Sequence, residues 1–252
     1  MIIFPITEDR TGAKEEPASA WKCVEQRQHE RADAYWVVTQ PSHAALAGEL
    51  AAALREDLFG PIDETVSRSI ALHDAGWSME DAEQIQRLRS DPRQQPTSFI
   101  DTPPGQFLRA WTTSIETVEK FAPIGGYLVS RHFERISLRD DPRNQAKLET
   151  FRTREMLRRR KLESKIDLDD ATLELLVDAL QFCDLLSLYL CCGTSRPGKF
   201  DYPKLTVRRF GDEYRLEPSP FRDHRQFGFS ALRHPLEPGK KGQSGATFYI
   251  NL

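Results

Sequence analysis

The segment from Asp169 to Cys192, DDATLELLVDALQFCDLLSLYLCC, restricts the possible folds more than any other part of the chain. It is apolar enough to be the hub of a core, yet Asp178 and Asp184 interrupt it. A charged side chain at the centre of a bilayer helix costs roughly 2.5–3.5 kcal/mol or more. The segment therefore reads as the central helix of a soluble bundle, with Asp184 on the apolar stripe of Val177, Leu180 and Leu188. A lone buried carboxylate is expensive, so an inward Asp calls for a cation or strong hydrogen-bond donors.

Three other predicted helices place polar groups inward in the same way, since residues three or four apart share a face. PSHAALAGELAAALREDLFG starts with Pro41 and Ser42 at a helix-start position and ends at Gly60; His43 lines up with Leu46, Ala47, Leu50 and Leu54. IDETVSRSIALHD reads as one helix stopping at Ala75-Gly76-Trp77, with His73 and Asp74 continuing the row of Val66 and Ile70. In IGGYLVSRHFERISLR, His132 lies between Leu128 and Ile136 at helical spacing. Any one of these histidines alone reads as a core residue bonded to a carbonyl. Three inward His and two inward Asp point instead to one shared partner, a divalent metal ion.

The ordered set His43, His73-Asp74 and Asp184 resembles the HD superfamily of metal-dependent phosphohydrolases, as a bacterial family within or beside it. The resemblance runs from about Tyr35 to Cys192 through TQPSHAALAGELA, ALHDAGW, LVSRHF and QFCDLLSLYLC. It implies that His43, His73, Asp74 and Asp184 ligate the metal (manganese, iron, zinc or magnesium, as one ion or two) and that Asp74 is the bridge if a second ion is present. It makes His132 a further ligand, or a residue that contacts substrate or acts as general acid. The implied activity is hydrolysis of a nucleotide or other small phosphoester by metal-activated water. Many members follow the His-Asp pair with a Lys that helps to hold phosphate; this chain has Ala75-Gly76-Trp77. That departure supports an alternative, a catalytically silent regulatory or ligand-sensing module. His132 speaks for a further one, an HD-like oxygenase with two irons.

Arg131, beside His132, is the leading candidate to bind phosphate and a member of the expected catalytic pair with it. Arg154, Arg158, Arg159 and Arg160 sit in a run interleaved with acidic residues and read first as a solvated helical face. Trp77, Phe99 and Trp111 can wall a pocket, and Asp101 in the Pro-rich loop of residues 89–105 reads as a turn residue.

The expected fold is mainly α: an HD-type helical bundle with a small N-terminal hairpin and a C-terminal antiparallel β subdomain. Residues 1–40 supply N-terminal strands (IIFPI, AYWVVTQ) and an insert, residues 41–193 the metal-binding core, and residues 194–252 a β-rich extension (LTVRRF, EYRLEP, FGFSALRHPL, ATFYINL). His224 and His234 in that extension have no metal-site spacing. Its last strand, TFYINL, is an edge suited to pairing across a homodimer. A net charge of −3 argues against a nucleic-acid partner, which needs a basic face, and leaves a small phosphorylated molecule as the expected one. Cys23, Cys183, Cys191 and Cys192 lack paired spacing and read as reduced core thiols. With neither a leader pattern nor a membrane span, the expected location is cytoplasmic.

Overall fold

The computed structural model describes residues 1–7, 15–138, 144–211, 213–235 and 245–252. Strands β1 (Ile2–Pro5) and β2 (Ala18–Ser19) precede helix α1 (Ala20–Gln28) and strand β3 (Tyr35–Val38). Helices α2 (Gln40–Ala53), α3 (Glu56–Phe59), α4 (Glu64–Ala71), α5 (Ser78–Ser90), α6 (Pro104–Phe121), α7 (Pro123–Ser137), α8 (Gln145–Glu163) and α9 (Asp170–Cys191) follow. Strands β4 (Gly198–Asp201), β5 (Lys204–Phe210), β6 (Glu213–Glu217), β7 (Gln226–His234) and β8 (Gly245–Asn251) come last.

Short polar side chains start the helices that matter most for the site. Thr39 Oγ1 accepts from the Ser42 amide at 3.2 Å with Pro41 in the first turn of α2, Asp63 caps α4 through the Val66 amide at 2.8 Å, and Asp169 caps α9 through the Thr172 amide at 2.7 Å. The helix expected to run through Asp74 stops earlier, at Ala71. There His73 Nδ1 bonds the Ile70 carbonyl at 2.7 Å, and residues 72–74 form a turn.

The expectation of a mainly helical bundle with separate small β parts is corrected. Of the described residues 56% are helix and 19% strand, and the strands form one mixed, curled half-barrel sheet of eight, ordered β1-β3-β7-β8-β6-β5-β4-β2. The supposed N-terminal hairpin does not stand alone. β3 pairs with β1 on one side and with β7 on the other, in the register Tyr35↔His234, Trp36↔Arg233 and Val37↔Leu232. Nor is the sheet purely antiparallel, because β2 runs parallel to β4 and β6 to β8, and β8, expected to be an edge for a homodimer, lies instead between β7 and β6. The physical reason lies in β3: Tyr35, Val37 and Val38 are buried, and two short strands cannot satisfy a buried strand's backbone on both edges.

The curl brings both sheet edges to α1, which packs against β1 at one end and β2 and β4 at the other. Gln28 covers the β1 edge as a strand would, donating to the Ile3 carbonyl at 2.7 Å and accepting from the Ile3 amide at 2.9 Å. α9 runs through the centre, buried from Leu173 to Cys191 along its apolar face and packed on α2 and α7. All four cysteines are buried free thiols. Among the described residues no helix is long and apolar enough to cross a membrane.

Candidate metal centre

Four elements that meet around α9 deliver the inward polar residues: α2 brings His43, the turn after α4 brings His73 and Asp74, α7 brings His132, and α9 brings Asp184. All three histidines are buried, as is Asp74. His43 and His73 lie with ring centroids 5.2 Å apart, and His73 and His132 at 5.4 Å. One ligand atom each from His43, His73 and Asp184 lies within 4.8 Å of the other two, so these three could hold a metal ion. Bonds of about 2.0–2.2 Å would require these atoms to draw closer together around the ion.

The hydrogen bonds on the far side of each ring assign its tautomer. Ser187 Oγ donates to the Asp184 carbonyl at 2.8 Å, so at 3.0 Å it must accept from His43 Nδ1–H. His73 Nδ1–H donates to the Ile70 carbonyl, which can only accept. Both rings, when neutral, therefore turn an Nε2 lone pair toward carboxylate oxygen: His43 to Asp74 Oδ2 at 2.9 Å, and His73 to Asp184 Oδ1 at 3.3 Å and Asp74 Oδ2 at 3.6 Å. Lone pair against lone pair is repulsive unless a cation sits between. A proton can serve, and so can a metal ion, whose histidine ligands are held by this kind of bond at the other nitrogen.

Protonation is the solution the chain reaches by itself. Burial opposes charge on His73, but Asp74 and Asp184 outweigh it and push the imidazole up to about 9. Burial likewise acts to raise the Asp184 carboxyl, yet His73, His132 and His43 hold it well below the usual carboxylate range.

His132 is oriented differently. Gln181 Nε2 contacts both His132 Nδ1, at 2.6 Å, and the His132 carbonyl, at 3.2 Å. The carbonyl requires a donor, which identifies the amide nitrogen, so Nδ1 accepts and the neutral ring carries its hydrogen on Nε2. That nitrogen lies 3.8 Å from Asp184 Oδ2. In this tautomer His132 offers the site a donor, whereas His43 and His73 offer lone pairs.

The cluster opens on a cavity of about 670 Å³ bordered by His43, Asp74, His132 and Asp184. The expected Trp77, Phe99 and Trp111 line it, joined by Trp21, Phe107 and Phe133. Gly76 explains the Ala-Gly-Trp that follows the His-Asp pair: a Cβ there would stand 2.1 Å from the Ala110 carbonyl, and its amide bonds Ser114 Oγ at 2.9 Å. Close packing of this turn on α6 leaves no room for a side chain at Gly76.

The arginines are not brought to the cavity. Arg131 pairs with Glu174 at 3.0 Å and with Glu134. Arg154 bonds Thr112 at 2.6 Å, Arg158 bonds Glu155 and Glu119, and Arg159 bonds Ser130 at 3.0 Å; none of these, nor Arg160, lines the cavity. Asp101 faces His29 at 3.4 Å, His224 faces the Leu252 carbonyl, and His234 faces the Gln94 carbonyl. Ser187, Gln181 and Gln40 border or support the site without having stood out in the sequence. Each is a neutral polar residue at helical spacing from a ligand candidate (Ser187 and Gln181 from Asp184, Gln40 from His43), and that spacing was the available signal.

Among known proteins, the family model described as "Protein of unknown function (DUF3891)" matches residues 27–231, which include every residue of the cluster. No curated protein and no solved structure matches the chain.

Proposed function

The chain belongs to the DUF3891 family, and for it we propose a divalent metal ion held by His43, His73, Asp74 and Asp184 that serves the hydrolysis of a small phosphoester. One observation carries this reading: two imidazoles, each fixed by an Nδ1–H bond, turn their Nε2 lone pairs onto the buried Asp74 and the partly buried Asp184 beside a cavity. Bound there, the ion supplies a water of lowered pKa and draws charge from the oxygen it touches.

The chain's own residues do the rest. Ser187 and the Ile70 carbonyl hold the two ligand rings, and Asp74 faces both of them. His132, with its hydrogen on Nε2 and its orientation set by Gln181, is placed to donate to a leaving-group oxygen. The likeness to HD phosphohydrolases rests on these ligands and their order along the chain.

A metal-binding module without turnover is the second reading, favoured by Arg131 being tied to Glu174 and Glu134 away from the cavity. Hydrolysis of p-nitrophenyl phosphate by manganese-loaded protein separates the two. We expect ion-dependent release of p-nitrophenol that drops at least ~100-fold in Asp184→Ala, beyond the usual range for loss of a supporting residue. Protein that retains its metal yet turns over no phosphoester, with any of manganese, iron, zinc or magnesium, overturns the hydrolase reading in favour of the silent module.

A further inference from the structure

The cavity has a composition that the metal alone does not explain. Its walls are aromatic and aliphatic, and the charged residues lining it are Glu25, Asp74, Asp184 and Asp201, with neither Lys nor Arg among the described residues that border it. Asp74 and Asp184 face the ion, while Glu25 and Asp201 are exposed at the mouth. Such a lining can accept one anionic group at the ion, but it repels the additional charges of a nucleoside di- or triphosphate, for which binding sites supply Arg, Lys or backbone nests. Its volume of about 670 Å³ lies within the range of small-molecule sites.

A second observation is independent of charge. Gln40, in the first turn of α2 and on the same helix as His43, borders this cavity and is 1% exposed. Its Oε1 finds no hydrogen-bond partner among the described residues. Leaving a buried carboxamide oxygen unpaired costs about 1–3 kcal/mol, so the Gln40 oxygen calls for a donor that the described residues do not supply. A packing role alone is served equally well by Leu or Met, without that cost.

We propose that the cavity takes a ligand with an uncharged, aromatic body of one or two rings, whose hydroxyl or amine donates to Gln40 Oε1, and whose only anionic group is the one the ion receives. The place of the reacting group rests on the metal reading above; the aromatic body and the Gln40 contact do not. Gln40 thereby becomes a specificity residue, and nucleotides drop out of the phosphoester class in favour of monoesters of aromatic alcohols.

The test uses the full chain, once with chelator and once with manganese, and follows energy transfer from the cavity tryptophans, Trp21, Trp77 and Trp111, to a bound naphthalene. The probes are 2-naphthol, which has a donor, and 2-methylnaphthalene, which matches its shape without one. In chelator, wild type is expected to bind 2-naphthol about tenfold more tightly, as one buried hydrogen bond provides. Gln40→Leu should erase that preference while binding 2-methylnaphthalene as wild type does, and ATP should displace neither probe from the manganese-loaded protein. Equal affinities in wild type, a preference that survives in Gln40→Leu, or displacement by ATP overturns the proposal. If Gln40→Leu does not fold, Phe107→Ala, half-buried on the same wall and 4.7 Å from the Trp111 ring, must weaken both probes; unchanged binding overturns the proposal equally. Because the first comparison is made in chelator, a chain that holds no ion still gives a result, and the two readings fail separately.

Discussion

Two dense groups of ionisable side chains lie close together in this molecule and are wired in opposite ways. On the outer side of α7, α8 and α9, carboxylates meet guanidinium groups: Glu174 faces Arg131 at 3.0 Å and Arg135 at 2.6 Å, Asp178 faces Arg135 at 2.5 Å, Glu134 faces Arg159 at 2.7 Å, and Glu155 faces Arg154 and Arg158, both at 3.0 Å. At the inner cluster, Asp74 and Asp184 meet only imidazoles, two of which present lone pairs. The first network is electrically complete within the chain and pins three helices together. The second needs a cation between its rings and carboxylates, a place that a proton takes at His73 and that a metal ion could take instead. Charge density alone therefore does not mark a functional site; the sign left unpaired does.

The comparison can be broken most forcefully in the outer network. Glu155 is fully buried and accepts from Arg154, which is half exposed, and from Arg158, which keeps Glu116 and Glu119 as further partners, so its removal costs charge-assisted hydrogen bonds rather than leaving a bare buried charge. Glu155→Ala is expected to lower unfolding free energy by roughly 1.5–3 kcal/mol in a denaturant titration, with metal content per folded chain unchanged. The reverse holds at the inner cluster. Ser187→Ala frees the His43 ring and should weaken metal binding by about 10–100-fold, with little change in the denaturation midpoint of the metal-free protein.

Proton competition sharpens the same contrast. In the metal-free chain His73 carries its proton up to about 9. Metal uptake must then displace that proton, so apparent affinity is expected to rise about tenfold per pH unit between roughly pH 6.5 and 9 and to level off above, with one proton released per ion in calorimetry across buffers of different ionisation enthalpy. The stability share of protonated His73 runs the other way. A folded-state pKa raised from 6.5 to about 9 stabilises fully below 6.5, and that contribution is lost as pH climbs through 9. Bound metal should flatten this dependence. The smallest effect is expected for Glu174→Ala, a 41% exposed member of the outer network, at no more than about 1 kcal/mol and with no effect on metal binding.

These groups were not equally legible in the sequence. His43 and Asp184 interrupt apolar helical stripes, and His73 and Asp74 fall in the turn just past one, so helical periodicity, a local signal that survives without knowledge of the tertiary fold, pointed to all four. The joining of the N-terminal and C-terminal strands into one sheet was not readable, because the register Tyr35↔His234 spans 199 residues and nothing local encodes it. Arg131 was misplaced for a related reason. A guanidinium next to His132 in sequence points to a different face of α7, where Glu174 of α9 meets it. Gln40 passed unnoticed because a polar residue beside Pro41 reads as a helix start, which masked its helical spacing from His43; its burial and its unpaired oxygen set it apart in the fold.

The central claim is that the inner carboxylates and imidazoles share a metal ion. Elemental analysis of protein purified without chelator and supplied with manganese, iron and zinc tests it most directly, for wild type beside His73→Ala, Asp184→Ala and the outer-network Glu174→Ala. The account predicts close to one or two ions per chain in wild type and Glu174→Ala, and loss of metal in both inner variants. Wild type that holds no metal, or inner variants that retain it in full, would contradict the account and leave the cluster as a proton-bridged part of the core.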